Sequence, residues 1–315
     1  MSTQTGMTSI HGVAIPTVRL KPWQTARFRR KVVPWLFMLP ILLINIAVVL
    51  GPAISAFYYA MTEWSGLGRA KFIGLDNFRT LFFDDPSFWH AFRNNVIWML
   101  MFLTVPISLA LVAATLLAPI KRAAIFFRMA LFLPYVLPSV VTAFIWSALM
   151  NPTRGLVGRL NDWGVPGFEK AFLGDPHTVL PAIAFIDNWH WWGFLMVLFL
   201  ASMQNVPPDL YEAARLDGAS RFQEFRDVTI PGIRPTLVFM LLMTSIWSFL
   251  TFDYIWILTQ GGPAGASEVL AVLVQKQAFL NFEAGYAAAI GITMSVFVGG
   301  VISIFIILRK RGWEI

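Results

Sequence analysis

What most constrains this chain is a series of apolar runs, separated by short stretches where Gly, Pro and charged residues gather. A helix of about 20 apolar residues crosses the hydrocarbon core of a bilayer. Backbone groups in lipid must find partners within the protein, so only helices and closed barrels span it. The runs lack the period-two alternation of barrel strands, and each therefore reads as a helix. Six spans are expected, at 34–60, 95–118, 127–149, 179–203, 236–259 and 285–308. Composition agrees: 57% of residues are hydrophobic and 13% charged, about half the charged fraction that keeps a soluble surface wet. The expected class is an all-α membrane protein of six transmembrane helices within a domain over 32–309, with short tails at 1–31 and 310–315.

Lys and Arg set the orientation, because cytoplasmic segments retain them. Sixteen of the 24 fall in the tail 1–31, the connection 119–128, the connection 204–235 and the last residues from 309 on. Both termini are therefore expected in the cytoplasm. The same topology accounts for the net charge of +7 without nucleic acid, since no aromatic platform interleaves the basic residues. Residues 1–31 carry Arg19, Lys21, Arg27, Arg29, Arg30 and Lys31 ahead of a long apolar run, unlike a cleavable signal peptide. Cysteine is absent, which removes disulfides and thiolate chemistry. His11, His90 and His177 have no companions at metal-ligand spacing, and no G-x-x-x-x-G-K-[ST] phosphate loop exists, so no metal, enzyme site or bound nucleotide is expected in this chain. Pro40, Pro52, Pro106, Pro134 and Pro138 lie inside expected spans, where each frees a carbonyl and favours a kink.

The connection 204–235 is unlike the others. Pro207, Pro208 and Asp209 precede good helix formers through Leu216, and Asp209 is placed to cap them. Gly218 can end that helix in a left-handed conformation and Ser220 can cap the next, which is expected to run to Pro231. Ala213, Ala214 and Ala219 offer a surface that another backbone can approach closely, while Glu212, Arg215 and Asp217 can pair with a partner's charges.

This string resembles the EAA loop of ABC importer permeases, a Glu-Ala-Ala followed by a spaced Gly and an apolar-Pro ending. Glu212, Ala213, Ala214, Gly218, Val228, Ile230 and Pro231 fall on that pattern. Asp217-Gly218-Ala219 and Pro235 are similar to its carbohydrate branch, as are Ile73-Gly74-Leu75-Asp76-Asn77-Phe78, Leu133-Pro134-Tyr135 and Thr259-Gln260-Gly261-Gly262-Pro263. The resemblance covers roughly 32–309 and implies an ABC type I importer permease fold, without a large extra periplasmic domain. It further implies that Glu212, Ala213, Ala214, Asp217, Gly218 and Ala219 form a coupling helix docked on an ATPase. The implied partners are a second permease making a heterodimer, two ATP-binding subunits that hold ATP and Mg, an extracytoplasmic substrate-binding protein and a carbohydrate, in a bacterial inner membrane.

Polar side chains inside a span usually face a bundle interior or cavity. Asp187, His190, Trp191 and Phe194 share one face of the fourth span, and Thr244, Trp247, Ser248 and Thr251 share one face of the fifth. Rings beside hydrogen-bonding groups suit a sugar, so these eight are candidates for a substrate pathway. Trp189 and Trp192 read equally well as interfacial anchors, and Asp253 as an ion-pair member or a pathway residue. Two other functions fit the same residues: an ion-coupled secondary carrier using Asp187 or His190, and a membrane enzyme with a site at 187–190. Activity without any ATPase would separate both from an ATP-driven importer.

Overall fold

A computed structural model describes residues 5–10, 13–18, 26–120 and 124–310, with side chains placed over 30–120 and 125–308. The end of the tail beyond 310, Lys121, Arg122, His11, Arg19 and Lys21 lie outside that description. Residues 1–58 and 59–315 form two units.

In the first unit, β1 (Thr5–Ile10) pairs antiparallel with β2 (Val13–Val18), Thr5 opposite Val18. The segment read as the N-terminal tail thus carries a hairpin. Helix α1 (Ala26–Asn45) continues through a π turn, Ile46–Leu50, into α2 (Gly51–Ala60). Its apolar stretch from Arg30 to Ala60 is long enough to cross a membrane.

The second unit starts at a small ribbon, β3 (Thr62–Glu63) against β4 (Lys71–Phe72), followed by the single turn α3 (Asp76–Arg79). Helix α4 (Pro86–Leu117) begins well before the expected 95 because Asp85 caps it, accepting from the Ser87 N–H at 2.8 Å, with Pro86 in the first turn. α4 packs along α8 (Val179–Met203). Trp98 and Phe102 bury against Val179, Ile183 and Ile186 at one end. Ala110 and Ala114 meet Leu195, Phe199 and Met203 at the other.

Two expected spans are broken. The stretch read as one helix over 127–149 is α5 (Ala124–Val136) and α6 (Ser139–Leu149), bent by 94°. Pro138 causes the break: it lacks an N–H, and its ψ of 141° starts α6 afresh. The fifth span is α12 (Arg234–Leu250) and α13 (Asp253–Thr259), interrupted at Thr251, with ψ 130°, and Phe252, with φ −145°. Short α7 (Leu156–Asp162) and α14 (Leu270–Phe279) flank the ends of the spans, and α15 (Ala284–Lys310) is the last apolar helix.

A broken span needs partners for its freed carbonyls. Asn95, fully buried on α4, supplies them at α12: its amide donates to the Ser248 carbonyl at 2.9 Å, and its oxygen accepts the Leu270 N–H at 2.8 Å. Asn94 beside it donates to the Ala266 and Glu268 carbonyls. Glycines set two backbone approaches. A Cβ on Gly193 would lie 2.0 Å from the Leu131 carbonyl oxygen, so α8 and α5 touch backbone to backbone there. At Gly285 a Cβ would lie 2.0 Å from the Thr62 oxygen, and the Gly285 N–H donates to the Trp64 carbonyl at 3.0 Å.

Candidate functional site

The connection after α8 forms α9 (Pro208–Leu216), α10 (Arg221–Glu224), a π turn over Phe225–Thr229, and α11 (Ile230–Gly232). Asp209 does not cap α9. Pro207 occupies the cap and Asp209 sits in the first turn, where its charge faces the positive helix end. Asp217 follows the helix and Gly218 takes φ +79°. The Ala219 N–H reaches the Ala214 carbonyl at 2.9 Å and the Gly218 N–H the Arg215 carbonyl at 3.1 Å, a Schellman closure that needs the left-handed residue. Ser220 and Gln223 then exchange a capping box, with bonds of 3.4 and 2.7 Å.

Glu212, Ala213, Asp217 and Gly218 are exposed on this corner, with Ala214 and Ala219 half-buried. Arg215, expected to pair with a partner's charges, pairs within its own chain while staying at the surface. Its Nε and Nη2 donate to the two oxygens of Glu224 at 3.1 and 3.3 Å, and Arg221 approaches the same carboxylate at 3.7 Å. Those donations hold the Glu224 carboxyl below the usual range. Glu224 is only 7% exposed, and no pattern in the sequence marks it. Sequence spacing could have paired it with Arg215 only if the turn at Gly218 were known.

The second candidate region is a cavity of about 290 Å³ between α8, the α5–α6 bend and the α12–α13 break. Asp187, His190, Trp191, Thr244, Trp247, Ser248 and Thr251 all line it, although Thr251 does so from the break and not from a helical stripe. Phe194 does not. It stacks behind the wall on Tyr135, ring centroids 4.6 Å apart, while Tyr135 takes the lining position. Trp191 and Trp247 meet edge to face at 4.6 Å. Trp189 packs against Trp146, and Trp192 against the α4–α8 core.

Breaking the helices brings in residues that a straight-span reading separates. The first residue of α6, Ser139, donates to Asp253 Oδ2, the first residue of α13, at 3.1 Å. Asp253 is thereby a cavity residue hydrogen-bonded across the two breaks. Tyr254 and Trp98 complete the wall. His190 has a structural task as well: its Nε2–H donates to the Leu137 carbonyl at 3.0 Å, one of the groups freed by the Pro138 bend. No grouping of acidic, His or Cys side chains suited to a metal occurs among the described residues.

These two sites, an exposed helical corner and an aromatic, polar cavity between broken helices, belong to one chain of five to six candidate spans. A permease of the alginate ABC transporter, solved with its pentasaccharide-bound periplasmic protein, superposes with a TM-score of 0.81, covering 93% of this chain and 98% of that one at 21% identity. The probable ABC transporter permease YurN of Bacillus subtilis is 35% identical over 83% of this chain and 90% of its own length. The diacetylchitobiose uptake permease NgcF of Streptomyces coelicolor is 34% identical over 81% of this chain and 75% of its own. The profile of the binding-protein-dependent transport system inner membrane component matches residues 106–311, which contain the corner and all of the cavity lining except Trp98 and Phe102. The chain therefore belongs to that family, the membrane-spanning permeases of ABC importers.

Proposed function

We propose that this chain is one of two permease subunits that enclose a sugar pathway in a bacterial inner membrane, with its α9–α10 corner seated on an ATPase. The observation that carries the coupling role is the corner itself. Leu216 is 89% exposed and Phe222 69% exposed beside Glu212 and Asp217, an apolar patch with a charged rim that suits a protein partner. The capping box, the Schellman closure and the Arg215–Glu224 pair hold that patch in one shape. Named cargoes of relatives support a carbohydrate, as do the paired indoles beside hydroxyl and carboxylate groups. ATP and Mg reside in the partner subunits, and a binding protein delivers the solute.

The corner moves as a unit when the ATPases close, transmitting rigid-body motion to the helices around the cavity. The test is Gly218→Trp. No atom lies within 4 Å of a Cβ built there, so the fold meets only backbone strain of about 1–2 kcal/mol, while the indole projects into the docking face. Copurification of the ATPase and ATP-dependent uptake are both expected to fall. Unchanged values of both would sink the docking assignment.

A further inference from the structure

We propose that the cavity is a charge filter: it admits neutral saccharides and those bearing a protonated amine, and turns away uronates and sugar phosphates. The inference rests on the transport reading above and adds the chemical class of the cargo. Asp187 and Asp253 both line the cavity, and no Lys or Arg does so among the described residues. The side chain with a basic nitrogen, His190, already spends its Nε2–H on the Leu137 carbonyl. A volume of about 290 Å³ is near the small end of ligand pockets, so a sugar ring inside it lies within electrostatic reach of both acids.

Two opposing contributions must be weighed. The starts of α6 and α13 meet at this cavity through Ser139 and Asp253, and a helix N-terminus contributes about half a positive charge. An ionised carboxylate contributes a full negative charge, against about half a positive charge from the helix end beside it. An arriving ammonium finds two carboxylates as partners, whereas an arriving carboxylate or phosphate meets like charge with no Lys or Arg beside it to neutralise it. A second observation points independently to a polar ligand. Thr244, 2% exposed, is one of the residues lining the same cavity, and its hydroxyl has no hydrogen-bond partner, a cost that a bond to a solute would relieve. The faces of Trp191 and Trp247 suit either a ring C–H patch or an ammonium.

The test uses the assembled complex without binding protein, so that selection by the permeases is read alone. Indole fluorescence quenching is titrated with the disaccharides of glucose, glucosamine and galacturonic acid. The glucose and glucosamine forms are expected to bind at least about tenfold more tightly than the uronate, and the preference is expected to collapse in Asp187→Asn/Asp253→Asn, a near-isosteric pair of changes checked for assembly by gel filtration. Uronate binding as tight as the neutral form in the unmodified complex overturns the filter. So does a preference that survives the double substitution, or quenching by none of the three. ATP-dependent uptake with the binding protein restored separates the two readings: uptake of a saccharide without this charge preference defeats the filter alone, and uptake that ignores ATP defeats the importer.

Discussion

Gly193→Ala tests the backbone-to-backbone approach of α5 and α8. A Cβ at this position would sit 2.0 Å from the Leu131 oxygen, 2.9 Å from its carbonyl carbon and 3.3 Å from the Phe132 Cα. An ordinary C···O contact begins near 3.3 Å, so α5 and α8 must part by roughly 1.3 Å. The obstacle is helix backbone, which cannot rotate aside as a side chain would. Overpacking of this kind costs about 1–3 kcal/mol, and a backbone clash belongs at the upper end. Against it, Ala replaces Gly inside a helix, a gain of up to about 1 kcal/mol. The net loss is about 2 kcal/mol, which lowers the melting midpoint by about 4–8 °C for a unit of this size. The assay is heating of the purified chain followed by fluorescence-detected gel filtration. Gly291→Ala is the internal control, a helical glycine with nothing within 4 Å of its Cβ, and is expected to melt no lower than the unmodified chain. If Gly193→Ala melts where Gly291→Ala does, the close approach is absent and the reasoning fails.

Removing the clamp with Asn95→Ala leaves the Ser248 carbonyl and Leu270 N–H unpaired in a buried site, at about 1–3 kcal/mol each, and is expected to melt lower than Gly193→Ala. His190→Phe preserves a ring but abandons the Leu137 carbonyl, so amide exchange around the α5–α6 bend is expected to quicken, with His190→Gln restoring part of the protection. At the corner, Glu224→Gln weakens the hold on Arg215 and is expected to lower ATP-dependent uptake more than membrane insertion. Because Arg215 depresses the Glu224 carboxyl below its ordinary value of 4.5, the pair's contribution is full above that pH and fades as pH falls through the lower folded value. Limited proteolysis of 208–232 should therefore be flat from neutrality to about pH 5 and rise only in stronger acid.

The helical membrane class was legible because run length and continuity are local properties, and the α9–α10 corner because its caps lie within a few residues of what they cap. What escaped depends on distant partners. Nothing near Leu250-Thr251-Phe252-Asp253 marks a break; the interruption is tolerable because Asn95, 153 residues away, takes the Ser248 carbonyl. Pro138 signals a kink in any reading, yet the 94° turn needs His190 on another helix to satisfy the Leu137 oxygen. Periodicity collected Asp187, His190 and Trp191 on one face, and placed Phe194 with them because spacing cannot tell a wall residue from one stacked behind it. Gly193 looked like any membrane glycine, since its meaning resides in Leu131.

The stitch at Gly285 bears on how the protein is made. Thr62 and Trp64 are synthesised early, and the glycine that fits against them follows more than 220 residues later. Leu270, the second partner of Asn95, also emerges late, 175 positions downstream. During translation the Trp64 carbonyl and the Asn95 amide therefore wait for these partners until the later segments emerge. A ribosome stalled before Gly285 would hold a chain whose Trp64 carbonyl still lacks the N–H that the last helix brings to it.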